Sequence, residues 1–287
     1  MATLTLEHVS YVYGEGTPFE MKALDDVSLS VREGVVTGII GHTGSGKSTM
    51  VQLFNGLEKP MGGRVLLDGC DIWAEPKKMR DIRFRVGLVM QYPEYQLFAE
   101  TVGEDIAFGP RNMGLDETEI AQRVREAISF VGLDGSVLSA SPFDLSGGQK
   151  RRVAIAGIMA MKPEILVLDE PAAGLDPRGR DSILQSIRAY ARGTGATVVI
   201  VSHSMEDMAT YCDDIVVMSH AKVCFSGTRD EVFAKADMLA EVGLDVPQIT
   251  HIAMLLKSRG VSLPDGIYTV EAATNAIAEL FGKGSVL

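Results

Sequence analysis

The sequence predicts an α/β protein built around a mainly parallel β-sheet that helices cover. Short apolar runs typical of buried strands alternate with longer stretches of helical periodicity. A glycine-rich loop joins one of these runs to a helix, as in nucleotide-binding α/β domains. The 287 residues, 46% of them hydrophobic and 23% charged, suit one large globular domain with a smaller appendage.

The strands are predicted from their apolar runs and the turn residues between them. The first forty residues hold three short candidates, over 3–9, 23–31 and 35–40, which indicate an antiparallel subdomain. Four later runs predict buried strands of the main sheet, at residues 86–90, 165–168, 197–201 and 215–218.

Helices are predicted between these strands. One should follow the glycine-rich loop over residues 47–57, and two more are expected over 101–112 and 116–131. Asp116 and Glu119 have the spacing of a capping box at the start of the last of these. After about residue 236, two further helical stretches, 247–258 and 269–281, predict a small C-terminal helical domain.

Composition narrows the class of protein. The net charge of −11 argues against a broad basic face for nucleic acid. No apolar run approaches the roughly 18–20 residues that span a bilayer, and the N-terminus lacks a signal-peptide pattern, so any membrane role should be peripheral. Cys70, Cys212 and Cys224 are widely spaced, which predicts small buried side chains in a reducing cytosol rather than a disulfide or zinc site.

Residues 41–48, Gly-His-Thr-Gly-Ser-Gly-Lys-Ser, fit the pattern of a phosphate-binding loop. Glycines let backbone N–H groups converge on phosphate oxygens, and the following helix offers its N-terminus to the anion. Lys47 is expected to reach the β- and γ-phosphates, and Ser48 to give a hydroxyl to Mg²⁺. The predicted ATP contacts are Gly41, His42, Thr43, Gly44, Ser45, Gly46, Lys47, Ser48 and Thr49.

Two carboxylates end the apolar run at 165–170. The carboxyl ends of strands are where parallel α/β sheets bind ligands. Asp169 is therefore expected to hold Mg²⁺, and Glu170, which projects differently, to act as general base for the attacking water. The alternative is a solvated pair at a strand-to-turn junction, which the nearby phosphate loop disfavours.

Residues 145–149 read Leu-Ser-Gly-Gly-Gln. Ser146 is a natural N-cap, and Gly147 and Gly148 leave the first turn bare enough to meet a phosphate closely. One chain cannot easily aim two helix N-termini at one γ-phosphate, so this end should serve ATP on another chain. The alternative is an ordinary capped helix. The basic run that follows, residues 150–152, is expected on the solvent side of the helix or near phosphate.

These motifs, in this order, resemble those of ATP-binding cassette (ABC) ATPases over residues 1 to about 230. The resemblance implies a P-loop ABC ATPase with a RecA-like parallel-sheet core, the antiparallel β subdomain, and a helical signature subdomain at about 92–160. It places the ATP-binding domain at 1–235. Residues 236–287 would form the small C-terminal helical domain, which would strengthen ATPase pairing.

The resemblance also implies further roles. Gln91 would be the Q-loop glutamine, which joins Ser48 and Asp169 at Mg²⁺. His203 would sense the γ-phosphate, and Asp176 would lie in the loop that crosses the dimer interface. The signature acting on the partner's ATP would be Ser146, Gly147, Gly148 and Gln149. The catalytic set would be Glu170, His203 and Gln91. Tyr13 would stack on adenine, with Tyr11 as the competing candidate.

A narrower likeness extends over essentially the whole chain. Residues 91–112, residues 13–24 and the stretch at 243–247 are similar to energy-coupling factor (ECF) and cobalt-type ATPases, specifically to the second of their two ATPase subunits. Met90 stands where phenylalanine is expected, and a bulky apolar residue is retained. Tyr92, Tyr95, Leu97 and Phe98 would grip a coupling helix, unless they pack internally.

This likeness implies an ATP-hydrolysing subunit that powers uptake of a vitamin or transition-metal micronutrient from the cytoplasmic side of the cell membrane. Its partners would be a second ATPase chain, identical or homologous, a transmembrane coupling protein and, indirectly, a substrate-binding membrane subunit; nucleic acid is not expected. The alternatives are another type of importer, an ABC ATPase acting on nucleic acid or ribosomes, and a non-hydrolysing nucleotide sensor.

Overall fold

The computed structural model describes residues 2–280 and 282. Phe281 and residues 283–287, at the end of the predicted C-terminal domain, lie outside the described part. The strands, in chain order, are β1 (Leu4–Tyr13), β2 (Met21–Val31), β3 (Val36–Gly41), β4 (Gly62–Leu67), β5 (Cys70–Asp71), β6 (Val86–Val89), β7 (Ile165–Asp169), β8 (Thr197–Val201), β9 (Asp214–Ser219) and β10 (Lys222–Thr228).

The predicted helices agree with the structure to within a few residues, and the structure adds a long helix of 18 residues over Pro177–Thr194 and several short ones. The helices are α1 (Lys47–Phe54), α2 (Met79–Arg85), α3 (Val102–Asn112), α4 (Glu117–Phe130), α5 (Gly147–Met159), α6 (Pro177–Thr194), α7 (Met205–Tyr211), α8 (Arg229–Phe233), α9 (Ala236–Glu241), α10 (Gln248–Ser258) and α11 (Val270–Leu280). No helix within 2–280 is long and apolar enough to span a bilayer.

The strands form two sheets. The first is antiparallel, with the order β2-β1-β4-β5. The second has the order β10-β9-β3-β8-β7-β6; its strands run parallel except β10, which pairs antiparallel with β9 at one edge. This arrangement confirms the predicted parallel core and places the candidates at 3–9 and 23–31 in the antiparallel sheet. The candidate at 35–40 was wrongly assigned to the antiparallel subdomain, because β3 pairs parallel with β8 and β9.

Alternate residues of the parallel strands enter two different hydrophobic cores, because successive side chains of a strand point to opposite faces. In β7, Leu166 and Leu168 pack in the core that contains α3 to α6. Ile165 and Val167 pack in the core that contains α1 and the antiparallel sheet. Both faces of the sheet are therefore covered, which explains why its strands read as continuous apolar runs.

Helix α5 crosses the sheet closely at β6. A Cβ atom on Gly87 would lie 2.7 Å from Ile158 Cγ2 and 3.0 Å from Pro163 Cγ. Only a glycine lets the C-terminal turn of α5 approach the strand this far, so this end of the helix is held against the sheet.

Two details differ from prediction. Asp116 caps α4 by accepting from the Thr118 and Glu119 backbone N–H groups, but the Glu119 carboxylate accepts from Arg123 instead of closing a capping box. The expectation that all three cysteines are buried was wrong, because only Cys212 is; the other two are exposed in the edge strands β5 and β10.

The C-terminal helices α10 and α11 share a small apolar cluster of their own, around Ala253, Ile267 and Ala273. Tyr268 joins this cluster to the rest of the chain. Its ring packs 5.6 Å from that of Phe233 in α8, and its hydroxyl donates to the Asp230 carbonyl over 3.3 Å.

Candidate functional site

The phosphate-loop sequence lies between β3 and α1. Gly46 precedes α1 with a φ of 101°, and a Cβ atom there would lie 2.1 Å from the Ala23 carbonyl oxygen, so glycine is required. The Lys47 ammonium donates to the carbonyls of Gly41 over 2.7 Å and His42 over 2.8 Å. Burial lowers the pKa of Lys47, while Glu170 and Asp169 act against this change.

The two carboxylates lie at the end of β7, as predicted. Burial raises the pKa of Asp169, and a hydrogen bond with Ser48 partly offsets it. Glu170 is 8% exposed, and burial, reinforced by the Asp169 charge, raises its pKa to about 7. Its backbone has a φ of 52°, a left-handed conformation that is uncommon for a side-chain-bearing residue and is typical of functional sites.

His203 follows β8 and faces Glu170. Its Nε2 lies 3.3 Å from Glu170 Oε1, yet this buried oxygen makes no hydrogen bond within the described residues. Burial and then the Lys47 charge lower the pKa of His203, which favours the neutral imidazole. A buried acid of raised pKa, beside a neutral histidine and a lysine, is an arrangement suited to proton transfer.

A cavity of about 210 Å³ brings these groups together. Its lining residues are Met21, Ala23, Thr43, Gly44, Gly46, Lys47, Ser48, Thr49, Gln91, Asp169, Glu170, Val201 and His203. The predicted loop, Mg²⁺ and catalytic residues thus converge on one space. Met21 and Ala23 were not predicted; they lie there because β2 passes beside the phosphate loop.

Four predicted ATP contacts do not line this cavity: the loop residues Gly41, His42 and Ser45, and the predicted adenine contact Tyr13. His42 turns away, and its Nε2 donates to the Val242 carbonyl over 2.7 Å. The Ser45 hydroxyl is buried and has no hydrogen-bond partner within the described residues. The His42 contact ties the phosphate loop to the segment that leads into α10.

The two tyrosines proposed for adenine have different surroundings. The Tyr13 hydroxyl lies 3.2 Å from Thr49 Oγ1, over the first turn of α1. The Tyr11 hydroxyl donates to Glu58 over 2.5 Å, and this bond is the main cause that raises the pKa of Tyr11 to about 12. Tyr13 is therefore nearer the phosphate loop, and Tyr11 is held by another partner.

The signature forms an exposed helix end away from this cavity. Ser146 Oγ accepts from the Gln149 backbone N–H, and Gln149 Oε1 accepts from that of Ser146, which completes a capping box. Asp176 is also exposed and caps α6 through the Gly179 N–H. None of residues 146–149 or 176 is among the described residues that line the cavity.

The prediction for the basic run after the signature was wrong for Arg151. Its side chain is buried and makes two hydrogen bonds to the Glu94 carboxylate. Arg152 reaches the Val131 carbonyl over 2.7 Å. Arg151 shares one face of α5 with Ile155, a helical turn later, and that face is packed inside the protein.

The segment after Gln91 borders a second cavity, of about 270 Å³, with a largely apolar wall. Phe98 lines it and packs edge-to-face on Phe108 at 4.9 Å between ring centroids. Tyr95 is 84% exposed, Phe98 60% and Tyr92 50%, whereas Leu97 is partly buried against the core. Of the four residues predicted to grip a coupling helix, Leu97 is therefore the one that packs against the core.

The donors at the first cavity fit a magnesium ion. Ser48, Gln91 and Asp169 offer hydroxyl, amide and carboxylate oxygens, which are the hard ligands that Mg²⁺ prefers. The described residues contain no cluster of three or more His, Cys, Asp or Glu side chains that could hold a metal. Magnesium sites usually combine one or two carboxylates with substrate phosphates and water, and Asp169 supplies such a carboxylate among these three donors.

Comparison with known proteins identifies the family. The ABC transporter family model matches residues 24–173. The energy-coupling factor transporter ATP-binding protein EcfA2 of Clostridium acetobutylicum is 51% identical over 275 residues, which cover 96% of each chain. EcfA2 of Symbiobacterium thermophilum is 53% identical over 274 residues, covering 96% of this chain and 95% of its own.

Similar solved structures point to the same family. The cbiO1 protein of Clostridium perfringens, part of the ABC transporter complex cbiONQ, has a TM-score of 0.74 at 38% identity, over 88% of this chain and 98% of its own. The ATP-binding cassette MJ0796, solved as a dimer bound to ADP and Pi, has a TM-score of 0.71 at 28% identity, over 79% and 98%. The predicted fold class and resemblance are confirmed: the chain belongs to the ABC transporter family and is an ATP-binding ATPase of the energy-coupling factor transporter type.

Proposed function

We propose that this chain hydrolyses ATP, at the cytoplasmic face of the cell membrane, to drive uptake of a vitamin or transition-metal ion. Residues 1–235 form the ATP-binding domain, with its helical signature subdomain at about 92–160. Residues 236–287 form the small domain that supports pairing of two ATPases. The proposal rests above all on Glu170, a buried carboxylate beside Lys47 and His203 in one cavity.

Glu170 accepts the proton of the attacking water in this mechanism. Its Oε1 makes no hydrogen bond within the described part of the chain, so it is available to a water molecule between the carboxylate and the γ-phosphate. His203, kept neutral by burial and by Lys47, orients that water or the phosphate through a single N–H donor. Lys47 neutralises charge that develops on the phosphate oxygens.

Ser48, Gln91 and Asp169 would hold Mg²⁺, which supplies charge neutralisation on the β- and γ-phosphates when bound. Thr43, Gly44, Gly46 and Thr49 bind the phosphates through the loop backbone and the N-terminus of α1. Tyr13 packs on the adenine. Selective binding of ATP therefore depends on residues from β1, the loop after β3, and the ends of β6, β7 and β8.

The partner of this chain is a second ATPase, identical or homologous. Ser146 to Gln149 lie at an exposed helix N-terminus outside the chain's own cavity. The capping box uses the N–H groups of Ser146 and Gln149, so those of Gly147 and Gly148 are the donors offered to the partner's ATP. Asp176, also exposed, lies in the loop that contacts the same partner. Closure of the pair on ATP and its opening after hydrolysis supply the motion.

A transmembrane coupling protein receives this motion. The apolar cavity beside Phe98 and the exposed Tyr95 offer anchors for a short amphipathic helix. The coupling protein in turn contacts the membrane subunit that selects the substrate, so selectivity resides outside this chain. The cbiO1 protein, which is similar to this chain, is itself part of the complex cbiONQ.

The test is a Glu170→Gln substitution in the membrane complex purified with its co-assembled subunits. We expect ATP turnover to fall by about 10²-fold or more, in line with loss of a general base, while ATP stays bound and the ATPases stay paired. Glu241→Gln, the same change at an exposed position of α9, is the control. Undiminished turnover in the Glu170 variant would remove the assigned base, and a complex without membrane subunits would point to a non-transport ABC ATPase.

A further inference from the structure

Arg151 and Glu94 form an ion pair inside the protein. Arg151 Nη2 and Nε lie 2.9 and 3.1 Å from the two oxygens of Glu94, a two-point contact between guanidinium and carboxylate. Their side chains are only 5% and 18% exposed. Burying a charged pair is weak evidence for stability, since desolvation offsets most of the attraction. A role in fixing geometry explains the pair better.

The pair joins two segments that serve different nucleotides. Glu94 lies in a short 3-10 turn over Pro93–Gln96, three residues after Gln91, which lines the chain's own cavity. Arg151 lies in α5, five residues after Ser146, which caps the signature helix. In the proposed dimer, Gln91 contacts this chain's ATP site and Ser146 contacts the partner's, so one ion pair joins the two segments that serve different active sites.

The backbone between Gln91 and Glu94 is strained. Tyr92 has a φ of 56° and a ψ of 55°, the left-handed conformation that is rare for an aromatic residue. The Arg151 guanidinium carbon lies 5.9 Å from the centre of the Tyr92 ring, within the range of a cation–π contact. Such strain persists only where surrounding contacts hold it, and Arg151 contributes two of them.

Arg151 also keeps an unused donor. Its Nη1 is buried and has no hydrogen-bond partner within the described residues. An orphaned buried donor is costly, so a rearrangement of this turn that gives Nη1 a partner would lower that cost. The turn therefore combines a strained backbone with an unsatisfied buried donor, two features on which a contact between Gln91 and a nucleotide would act.

We propose that Arg151 and Glu94 are positioning residues that couple the two ATP sites: they transmit the state of Gln91 at one site to Ser146 at the other. This inference rests on the proposed function. Neither side chain lines the nucleotide cavity, so their removal should change how hydrolysis responds to ATP more than how ATP binds.

The experiment measures ATP hydrolysis by the wild-type membrane complex and by Arg151→Gln, Glu94→Gln and double-substituted complexes. We expect kcat to fall about tenfold, KM to change less than threefold, and the Hill coefficient for ATP to fall towards 1. The double variant should be no worse than either single one, because the two residues act as a unit. Arg151→Lys should recover part of kcat, since it keeps the charge but loses the two-point contact.

Arg123→Gln is the matched control. Arg123 pairs with Glu119 within α4 over 2.8 Å, so it is also a partly buried arginine–glutamate pair, but it does not touch the Gln91 segment. Equal losses of kcat in both arginine variants, in step with loss of thermal stability, would reduce Arg151 to a structural role and overturn the inference.

The inference that Arg151 and Glu94 couple the two ATP sites would also be overturned by an Arg151→Gln complex with the wild-type kcat and Hill coefficient. If the wild-type complex itself hydrolyses no ATP, the proposed function fails and this inference with it. Binding of a fluorescent ATP analogue to each folded variant separates loss of coupling from loss of the nucleotide site.

Discussion

Replacing Glu170 by glutamine should change the pH dependence of stability in the nucleotide-free protein. The pKa of Glu170 rises from its ordinary value of 4.5 to about 7, first because of burial and then because of the Asp169 charge. Since each pKa unit is worth about 1.36 kcal/mol, the difference corresponds to roughly 3 kcal/mol. The side chain is only 8% exposed, so solvent screens this effect little.

The sign follows from proton binding. Between pH 4.5 and about 7 the folded protein keeps the Glu170 proton, while the unfolded chain releases it. The folded state therefore binds more protons, and the free energy of unfolding falls as the pH rises through this window. The contribution is fully present below pH 4.5 and lost above about pH 7. Glutamine does not titrate, so the variant lacks this loss.

The assay is urea-induced unfolding, followed by circular dichroism, at several pH values between 4.5 and 8. The Glu170→Gln protein should gain about 3 kcal/mol of stability relative to wild type across the window. The exposed Glu241→Gln protein should show a much smaller change. A Glu170→Gln difference that stays constant with pH would refute the reasoning, because it would mean that the folded state does not hold this proton.

Three further predictions concern activity and the C-terminal contact. The kcat/KM for ATP should rise with pH through about 7, because Glu170 must lose its proton to act as base; steady-state rates in overlapping buffers measure this. Tyr13→Ala should weaken ATP binding about tenfold through lost stacking, whereas Tyr11→Phe should leave it unchanged, as a fluorescent nucleotide titration would report. Gly243→Ala should lower the free energy of unfolding, measured by urea titration, by about 1–2 kcal/mol more than Gly260→Ala does. Both glycines have a positive φ, but only a Cβ atom on Gly243 would meet a side chain, the His42 ring at 2.7 Å.

The elements that carry the nucleotide motifs could be predicted because they read as long apolar runs beside glycines and capping residues. β7 and β8 are buried along their whole length, so their sequences contain little else. The inner strand β4 and the edge strands β5 and β10 were missed. β4 begins with two glycines and an arginine, and β5 has only two residues. β10 alternates exposed and partly buried residues and contains a lysine and a glycine, a pattern that resembles a loop.

The residues of the candidate site likewise divide into those that the sequence predicts and those that it does not. Lys47 and Glu170 could be predicted to lie together at the site, because their neighbours in sequence form a phosphate-loop pattern and the end of a buried strand. Met21 lines the cavity only because β2 folds beside the phosphate loop, which no local pattern reports. Arg151 was misplaced because a run of three basic residues normally indicates solvent, and its buried partner Glu94 is 57 residues away in the chain.

Because α5 is held closely against Gly87 at its C-terminal end, a small rotation about that end would move its N-terminal end much further. Its thirteen residues span about 20 Å at 1.5 Å per residue, with Ile158 held against the strand at one end and Ser146 at the other. A rotation of about 10° around the Gly87 end would carry Ser146 through roughly 3 Å, about the length of a hydrogen bond. The missing side chain at Gly87 thus fixes the point about which α5 would tilt. In the proposed dimer, a small tilt there would be enough to make or break the contact between the signature helix end and the partner's phosphate.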